Sequence, residues 1–389
     1  MTLIAETAEL EALCGRLAKA DFITVDTEFL RDSTYWPRLC LVQVAGPDDV
    51  AAVDALSPNL DLAPLLALFD DQRLLKVLHS ARQDMEIFFH LTGRLPAPIF
   101  DTQVAAMVCG FGESVGYDTL VRKMTGAHVD KSSRFTDWSR RPLADRQLNY
   151  ALADVTHLRK IYRKLEGRLS KSGRAAWLAE EMAVLTSPET YRLDPDKAWR
   201  RLKTRSNDRR YLAVLRALAA WREEEAQQRD VPRARVLRDE QLFDIAAHRP
   251  TSEEELARSR GVNRDMARGR IGRAILETVG QALALPDKEL PNPPPKPVAP
   301  NGAGPLIDLL KVLLKLRCDE HDVAQKLIAS TADLEQIAAD DEADVMALQG
   351  WRFEIFGRDA LALKKGTVAL SAVGNSVRVV MVGATEDAG

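Results

Sequence analysis

Residues 21–32 read DFITVDTEFLRD and set two carboxylates, Asp26 and Glu28, at the end of an apolar run with the make-up of a buried strand. Side chains alternate faces along a strand, so Asp26 and Glu28 project from one face and Thr27 from the other. Neighbouring carboxylates repel, and burying them without a counter-charge is costly. The pair therefore demands a cation, an arginine or open water. Outward from this strand, LCLVQVA at 39–45 and VAAVDA at 50–55 are short β-rich runs parted by turn residues, the pattern of a meander. Residues 5–19 have helical apolar spacing ahead of it. From residue 61 the chain alternates: LAPLLALFD has a helical period, LLKVLHS that of a buried strand, and RQDMEIFFHL that of a helix again. Such alternation predicts a mixed α/β layer.

Beyond residue 100 the chain reads as helices: DTQVAAMVCG, YDTLVRKMTG, a long one over 143–168 and AAWLAEEMAVL. Residues 192–210 carry eight Lys or Arg against three Asp, a basic connector. A helical block over 211–285 has its own apolar stripe in Leu212, Leu215, Leu218 and Trp221. Residues 286–305 hold eight prolines in twenty positions and cannot continue a helix, so an extended spacer is expected. A second helical block follows, expected to run to about residue 380.

The 389 residues leave room for two or three domains. A net charge of −3 does not by itself point to a polyanion, because binding depends on where basic groups cluster. Cys14, Cys40, Cys109 and Cys318 are scattered without metal-site spacing and are expected as reduced, buried thiols. No apolar run has the length of a membrane span, and the N-terminal residues lack the basic start of a signal peptide. A cytoplasmic protein without a membrane partner is the expectation.

Two later segments bear on the acids. KVLHSARQDMEIF ends a strand at His79 and puts Asp84 in the first turn of a helix, where an acid also suits the helix dipole. His79 at that strand end is expected to make a structural hydrogen bond. QLNYALADV places Tyr150 and Asp154 four residues apart, on one helical face. Each feature alone is commonplace.

Together, Asp26 and Glu28, then Asp84, then Tyr150 and Asp154 resemble, in order and spacing, the three exonuclease motifs of the DEDD superfamily in its tyrosine subclass. VDTEFLRDSTYWPRLCLVQVA, KVLHSARQDMEIF, FDTQVAAMVCGFGESVGYDTLVRKMTG and DKSSRFTDWSRRPLADRQLNYALADV are similar to the bacterial ribonuclease D family over nearly all of the first 190 residues. WREEEAQQRDVPRARVLRDEQLFDIAAHRPTSEEEL resembles an HRDC domain, and GWRFEIFGRDALALKKG is compatible with a diverged second copy. The resemblance implies a ribonuclease H-like α/β 3′-5′ exonuclease domain, a mixed sheet flanked by helices, followed by two all-α HRDC-type domains. The expected parse is 1–190 exonuclease, 191–210 basic connector, 211–285 HRDC, 286–305 Pro-rich linker and 306–389 second HRDC-like domain.

It also implies a chemistry. Clustered carboxylates suit Mg²⁺ or Mn²⁺, which prefer oxygen ligands. Two ions per site are expected, with Asp26 bridging both, Glu28 and Asp154 completing the site of the ion that activates water, and Asp84 holding the second. Tyr150 is expected to orient the attacking water, a phenol being a poor base at neutral pH. The substrate implied is RNA: 3′ trailers of tRNA precursors and other small structured RNAs, trimmed by a monomer to 5′ nucleoside monophosphates. Phe29, Tyr35 and Trp36 are candidates for stacking a terminal base. Lys131, Ser132 and Arg134 are candidates for phosphate contact, as are the basic connector and the arginines at 258, 260, 264, 268, 270 and 273. The helical blocks are expected to clamp the RNA end. The alternatives are a nucleic-acid-binding scaffold with an inactive nuclease domain, which the intact acid set argues against, and a DNA exonuclease with the same acids.

Overall fold

The computed structural model describes residues 2–130, 132–134, 136–204, 206–293 and 302–382. Its N-terminal part is built on β1 (Thr2–Ile4), α1 (Thr7–Leu17), β2 (Phe22–Leu30), β3 (Arg38–Ala45), β4 (Val50–Asp54), α2 (Ala63–Asp70), β5 (Leu75–Leu78), α3 (Arg82–Thr92), β6 (Ile99–Asp101), α4 (Thr102–Val108), α5 (Tyr117–Thr125), α6 (Asp145–Ser172) and α7 (Ala175–Leu185). The six strands form one sheet in the order β1-β4-β3-β2-β5-β6. The meander β2-β3-β4 is antiparallel, as its turn residues predict, while β5 pairs parallel to β2 and β6 parallel to β5. Strand β2 is therefore the seam between the antiparallel and parallel halves. Its first residues, Phe22 to Val25, are buried because helices cover both faces. Strands β1 and β6 escape the sequence pattern, since three residues are too few to show alternation.

Seven prolines interrupt the chain between its two helical blocks, an eighth, Pro305, opens the second, and residues 294–301 of the spacer lie outside the described residues. The first block comprises α8 (Arg209–Gln228), α9 (Arg233–Val236), α10 (Asp239–His248), α11 (Glu253–Leu256), α12 (Arg264–Arg268) and α13 (Arg270–Leu283). It closes around its own core of Leu215, Leu218, Leu242, Ile245, Ile275 and Val279. The basic connector is not an extended strand: Pro195–Arg201 forms a 3₁₀ turn, Leu202 enters that core, and Arg210 donates to the carbonyls of Leu283 (3.0 Å) and Leu285 (2.5 Å).

The second block, α14 (Gly304–Glu320), α15 (Thr331–Ala339), α16 (Gly350–Arg352) and α17 (Arg358–Lys364), departs from expectation twice. It ends not in helix but in a hairpin of β7 (Val368–Val373) and β8 (Ser376–Met381). The alternating VALSAV and SVRVVM around Gly374-Asn375 carry that hairpin, with Gly374 at φ +58° as such a turn requires. Its core is also continuous with that of the sheet domain, one apolar cluster running from Ile4 through Tyr191 and on through Leu310, Leu313, Ile337 and Phe356. Trp177 of α7 stacks on Trp351, ring centroids 4.3 Å apart. Arg352, almost wholly buried, donates to Leu327 O (2.6 Å) and Glu180 (2.9 Å) and pairs with Glu181. Arg174 donates to Val108 O (3.0 Å) and Asp322 O (2.9 Å), binding the two units at a second point.

Arg352 is buried while Glu181 and Glu180 are 20% and 48% exposed, so Arg352→Ala should cost about 1–3 kcal/mol, chiefly through the orphaned Leu327 carbonyl and lost packing. Urea unfolding of the full chain should show the sheet domain and the C-terminal block melting together and the whole transition moving to lower urea. Separate transitions for the two would contradict a shared core.

Candidate active site

Strand β5 pairs with β2 only along Phe22–Thr24, so beyond that point the edge of β2 is free. Asp26 and Glu28 occupy this freed stretch, facing Gln43 and Leu41 across the antiparallel pair, with an irregularity between Glu28 and Phe29. Crevices at the carboxyl ends of parallel strands are the usual ligand sites of such sheets. Helix α3 starts there and delivers Asp84, which is buried and accepts a hydrogen bond from Thr27 Oγ1. Thus the alternate face of β2 serves the same site. From across the cleft α6 brings Tyr150 and Asp154, the phenol hydrogen-bonded to the carboxylate. One oxygen each from Asp26, Glu28 and Asp154 lie within 4.8 Å of one another. They line a cleft of about 400 Å³ shared with Tyr150, Tyr117 and Arg134.

Burial away from water dominates the electrostatics, and like charges add to it. Burial first, and then Asp154, push Asp26 well above the usual carboxylate range. Burial and the charges of Asp26, Asp154 and Asp84 raise Glu28 to about 9. Asp84 is raised by burial and by Asp26, against the pull of the Thr27 hydroxyl. Asp154 rises to about 7 through burial, opposed by the Tyr150 hydrogen bond and by Arg134. Burial and the nearby acids also raise the Tyr150 phenol, keeping it protonated. An all-oxygen donor set whose members repel until a cation arrives fits a hard divalent metal.

The supports of these acids had no assigned part in the sequence reading. Asp101, at the end of β6, is 2% exposed and accepts four backbone N–H groups: Ser80 (3.0 Å), Ala81 (2.7 Å), Gln103 (2.7 Å) and Val104 (3.3 Å). It thereby caps α4 and fixes the turn that starts α3, and with it Asp84. Ser80 holds a left-handed φ of +61° in that turn. His79 makes the structural bond expected of it, Nδ1 to Thr102 Oγ1 at 2.9 Å. Helix α6 is tied across the sheet by Thr24 Oγ1 donating to Val155 O (2.8 Å) and by Arg159 donating to Phe22 O (3.1 Å) and Ala45 O (3.2 Å). The Tyr117 hydroxyl meets the carbonyls of Ala153 (3.1 Å) and Asp154 beneath the acid.

The outer candidates separate. Arg134 lines the cleft, whereas Ser132 is exposed and turned onto Asp130, with Oγ to Oδ2 at 3.0 Å. Lys131 lies outside the described residues. Phe29 is half-buried and packs on the main core. Tyr35, expected to stack a base, is 4% exposed and sits under α8 instead. Its hydroxyl pairs with Glu223 and accepts from Gln227 (3.1 Å) and Arg233 (2.9 Å), while the backbone N–H groups of Tyr35 and Trp36 both reach Asp230, at 3.0 and 2.9 Å. Trp36 stacks on His90 with centroids 4.1 Å apart, and the Tyr35 ring lies edge-on to it. The TYW segment is thus a docking point for the first helical block, which no local pattern could announce. Of the Arg-rich run, Arg270 pairs with Glu225, while Arg258, Arg260, Arg264 and Arg273 stay exposed.

The mixed sheet and its carboxylate cleft define a 3′-5′ exonuclease, a hydrolase of phosphodiester bonds that works with divalent metal. Residues 1–170 match the 3′-5′ exonuclease family and residues 211–279 the HRDC domain. Ribonuclease D of Granulibacter bethesdensis is 52% identical over 98% of this chain and 97% of its own, and that of Gluconacetobacter diazotrophicus 53% over 97% and 96%. Among solved structures, Escherichia coli RNase D, an exoribonuclease involved in structured RNA processing, superposes with a TM-score of 0.80 at 31% identity, covering 94% of this chain and 98% of that one. The chain belongs to the ribonuclease D family of 3′-5′ exoribonucleases. Among the described residues no helix is long and apolar enough to cross a membrane.

A carboxyl group with a higher pKa folded than unfolded stabilises the fold fully below its unfolded value, near 4, and loses that contribution as pH climbs to the folded one. With Asp154 at about 7 and Glu28 at about 9, the metal-free protein should lose stability as pH rises from about 4 to 9. Adding Mg²⁺ or Mn²⁺ at alkaline pH should restore it. Asp154→Asn should melt higher than the parent in chelator at pH 8 and gain less from cation. Thermal melts across pH check this, and a metal-free melting temperature that climbs with pH would contradict the acid cluster described.

Proposed function

We propose that this chain trims the 3′ ends of tRNA precursors and other small structured RNAs, one nucleotide at a time, releasing 5′ nucleoside monophosphates. The observation that carries this reading is the convergence of Asp26, Glu28 and Asp154 within 4.8 Å, with Asp84 buried beside them. Two Mg²⁺ or Mn²⁺ ions are the metals of choice for this donor set. When bound they supply Lewis-acid charge to the scissile phosphate and make water more acidic. Asp26, whose charge acts on Glu28 and Asp84 and is acted on by Asp154, would help to hold both ions. Glu28 and Asp154 would hold one ion and Asp84 the other.

A phenol is a poor base at neutral pH, so the Tyr150 hydroxyl acts by orienting the attacking water rather than by taking its proton. Arg134 faces the cleft as the residue for the phosphate. Ribose preference comes from the family rather than from a single residue here. The four cysteines, all free and buried, suit the reducing cytoplasm, and a monomer is the working state.

A 5′-labelled RNA with a single-stranded 3′ extension should shorten stepwise with Mg²⁺ or Mn²⁺ and stop with chelator, while its DNA counterpart persists. Asp26→Ala and Asp154→Ala should abolish shortening. Tyr150→Phe should bind metal normally and lose roughly 100-fold in kcat, the scale of a positioned proton-handling group. Near-normal cleavage by either Asp variant would sink the site assignment, and equal shortening of DNA would favour a DNA exonuclease.

A further inference from the structure

The phrase DWSRRPL, residues 137–143, is part of the family resemblance yet has no place in the chemistry so far. Its second arginine uses every donor it has. Arg141 Nε and Nη2 grip the Asp54 carboxylate at the end of β4, at 2.7 and 2.5 Å. Nη2 also donates to Cys40 O on β3 (2.9 Å), and Nη1 donates to Trp138 O (2.7 Å) and Arg140 O (2.9 Å) of its own loop. A guanidinium has five N–H donors, and here each meets an acceptor. Asp54 is 9% exposed and Arg141 25%, so the pair is sheltered as well as bidentate. Arg141 is therefore committed to the protein and not to RNA, unlike exposed Arg140.

What this clamp holds is the segment leading into α6. Trp138 is buried in a small cluster with Cys40, Leu41, Ala52 and Leu152, against which Tyr150 packs. The Trp138 and Tyr150 rings lie 6.2 Å apart at 31°. Gln147 ties the same segment to the helix start, its Nε2 donating to Thr136 Oγ1 (3.1 Å) and its Oε1 accepting from Ala144 N (3.0 Å). A continuous path therefore runs from the sheet through Arg141 and Trp138 to the Tyr150 ring.

We propose that Arg141 is a positioning residue of the hydrolysis: by tying the loop before α6 to Asp54 and Cys40, it seats Trp138 against Tyr150 and holds the Tyr150 hydroxyl at Asp154. The inference rests on the role of Tyr150 given above, and it extends that role to a residue that touches neither RNA nor metal. Lysine retains the charge at 141 but cannot span five acceptors in two directions.

Arg141→Lys should lower kcat by about 10- to 100-fold, the usual scale for a misplaced reacting group. KM for RNA should stay within about twofold and Mn²⁺ binding by calorimetry should be unchanged. In the metal-free protein, amides of residues 136–150 should exchange hydrogen faster. On a Tyr150→Phe background, Arg141→Lys should lower kcat by less than about twofold more, because the group it positions is already gone. If Tyr150→Phe alone keeps full kcat, the reading of Tyr150 fails and takes this one with it. If Tyr150→Phe is impaired and Arg141→Lys multiplies the loss, or if Arg141→Lys weakens Mn²⁺ binding, the positioning role alone is overturned. Should Arg141→Lys not fold, Asp54→Asn enters the same cycle with the same expected outcomes, approaching the clamp from the sheet.

Discussion

Four carboxylates are held where burial, and for Asp26, Glu28 and Asp84 a neighbouring charge as well, raises the cost of ionising them, and the rest of the catalytic domain is arranged so that none of them can move away. Asp26 and Glu28 are fixed to the central strand β2, which β3 pins along this stretch and β5 just before it. Asp84 is fixed by a helix start, and Asp154 by a helix laid across the sheet. Left to itself the cluster would relieve its repulsion by binding protons or by splaying apart. The fold prevents splaying, so the remaining relief comes from protons or from a cation that displaces them.

Holding repelling groups together requires anchors that are themselves satisfied. Asp101 is such an anchor, because four backbone N–H groups converge on its carboxylate and lock the turn ahead of Asp84. Thr24, Arg159 and Tyr117 act likewise on α6, bonding to main-chain carbonyls of the strands or of the helix itself. None of these residues belongs to the acid motif. They convert a sequence of acids into a rigid cleft, since a buried hydrogen bond with both partners in place is costly to break.

The two helical blocks attach to this centre in different ways. The first has its own core and meets the catalytic domain through a polar latch at Tyr35 and Trp36, only seven residues beyond Glu28. The second shares the apolar cluster of the sheet domain and is bound to it by Trp351 and the buried Arg352. A latch made of hydrogen bonds and one tyrosine can adjust, whereas a common core cannot without unfolding. One block is therefore docked on the segment after β2, and the other shares the core of the sheet domain.

The acids were legible because strand alternation and helical spacing are local rules: DFITVDTEF puts Asp26 and Glu28 on one face, and Tyr150 and Asp154 share a helix face, whatever the rest of the chain does. The meander was legible for the same reason, and the hairpin at Gly374-Asn375 carried an equally local signal that helical expectation overrode. What no local rule contains is which distant surface will cover a given residue. Tyr35 reads as an exposed aromatic beside a nuclease motif, and only the docking of Glu223, Gln227 and Arg233, some 190 residues later, makes it a buried joint. Asp101 and Arg141 are likewise mute in sequence, because their meaning lies in acceptors and donors that tertiary folding brings together. The sequence alone determined which acids share a face, through residue type and period, and its resemblance to a known family implied their chemistry. The tertiary structure decided which residues reach that site and which hold it still, since burial and hydrogen-bond partnership are properties of the packed chain.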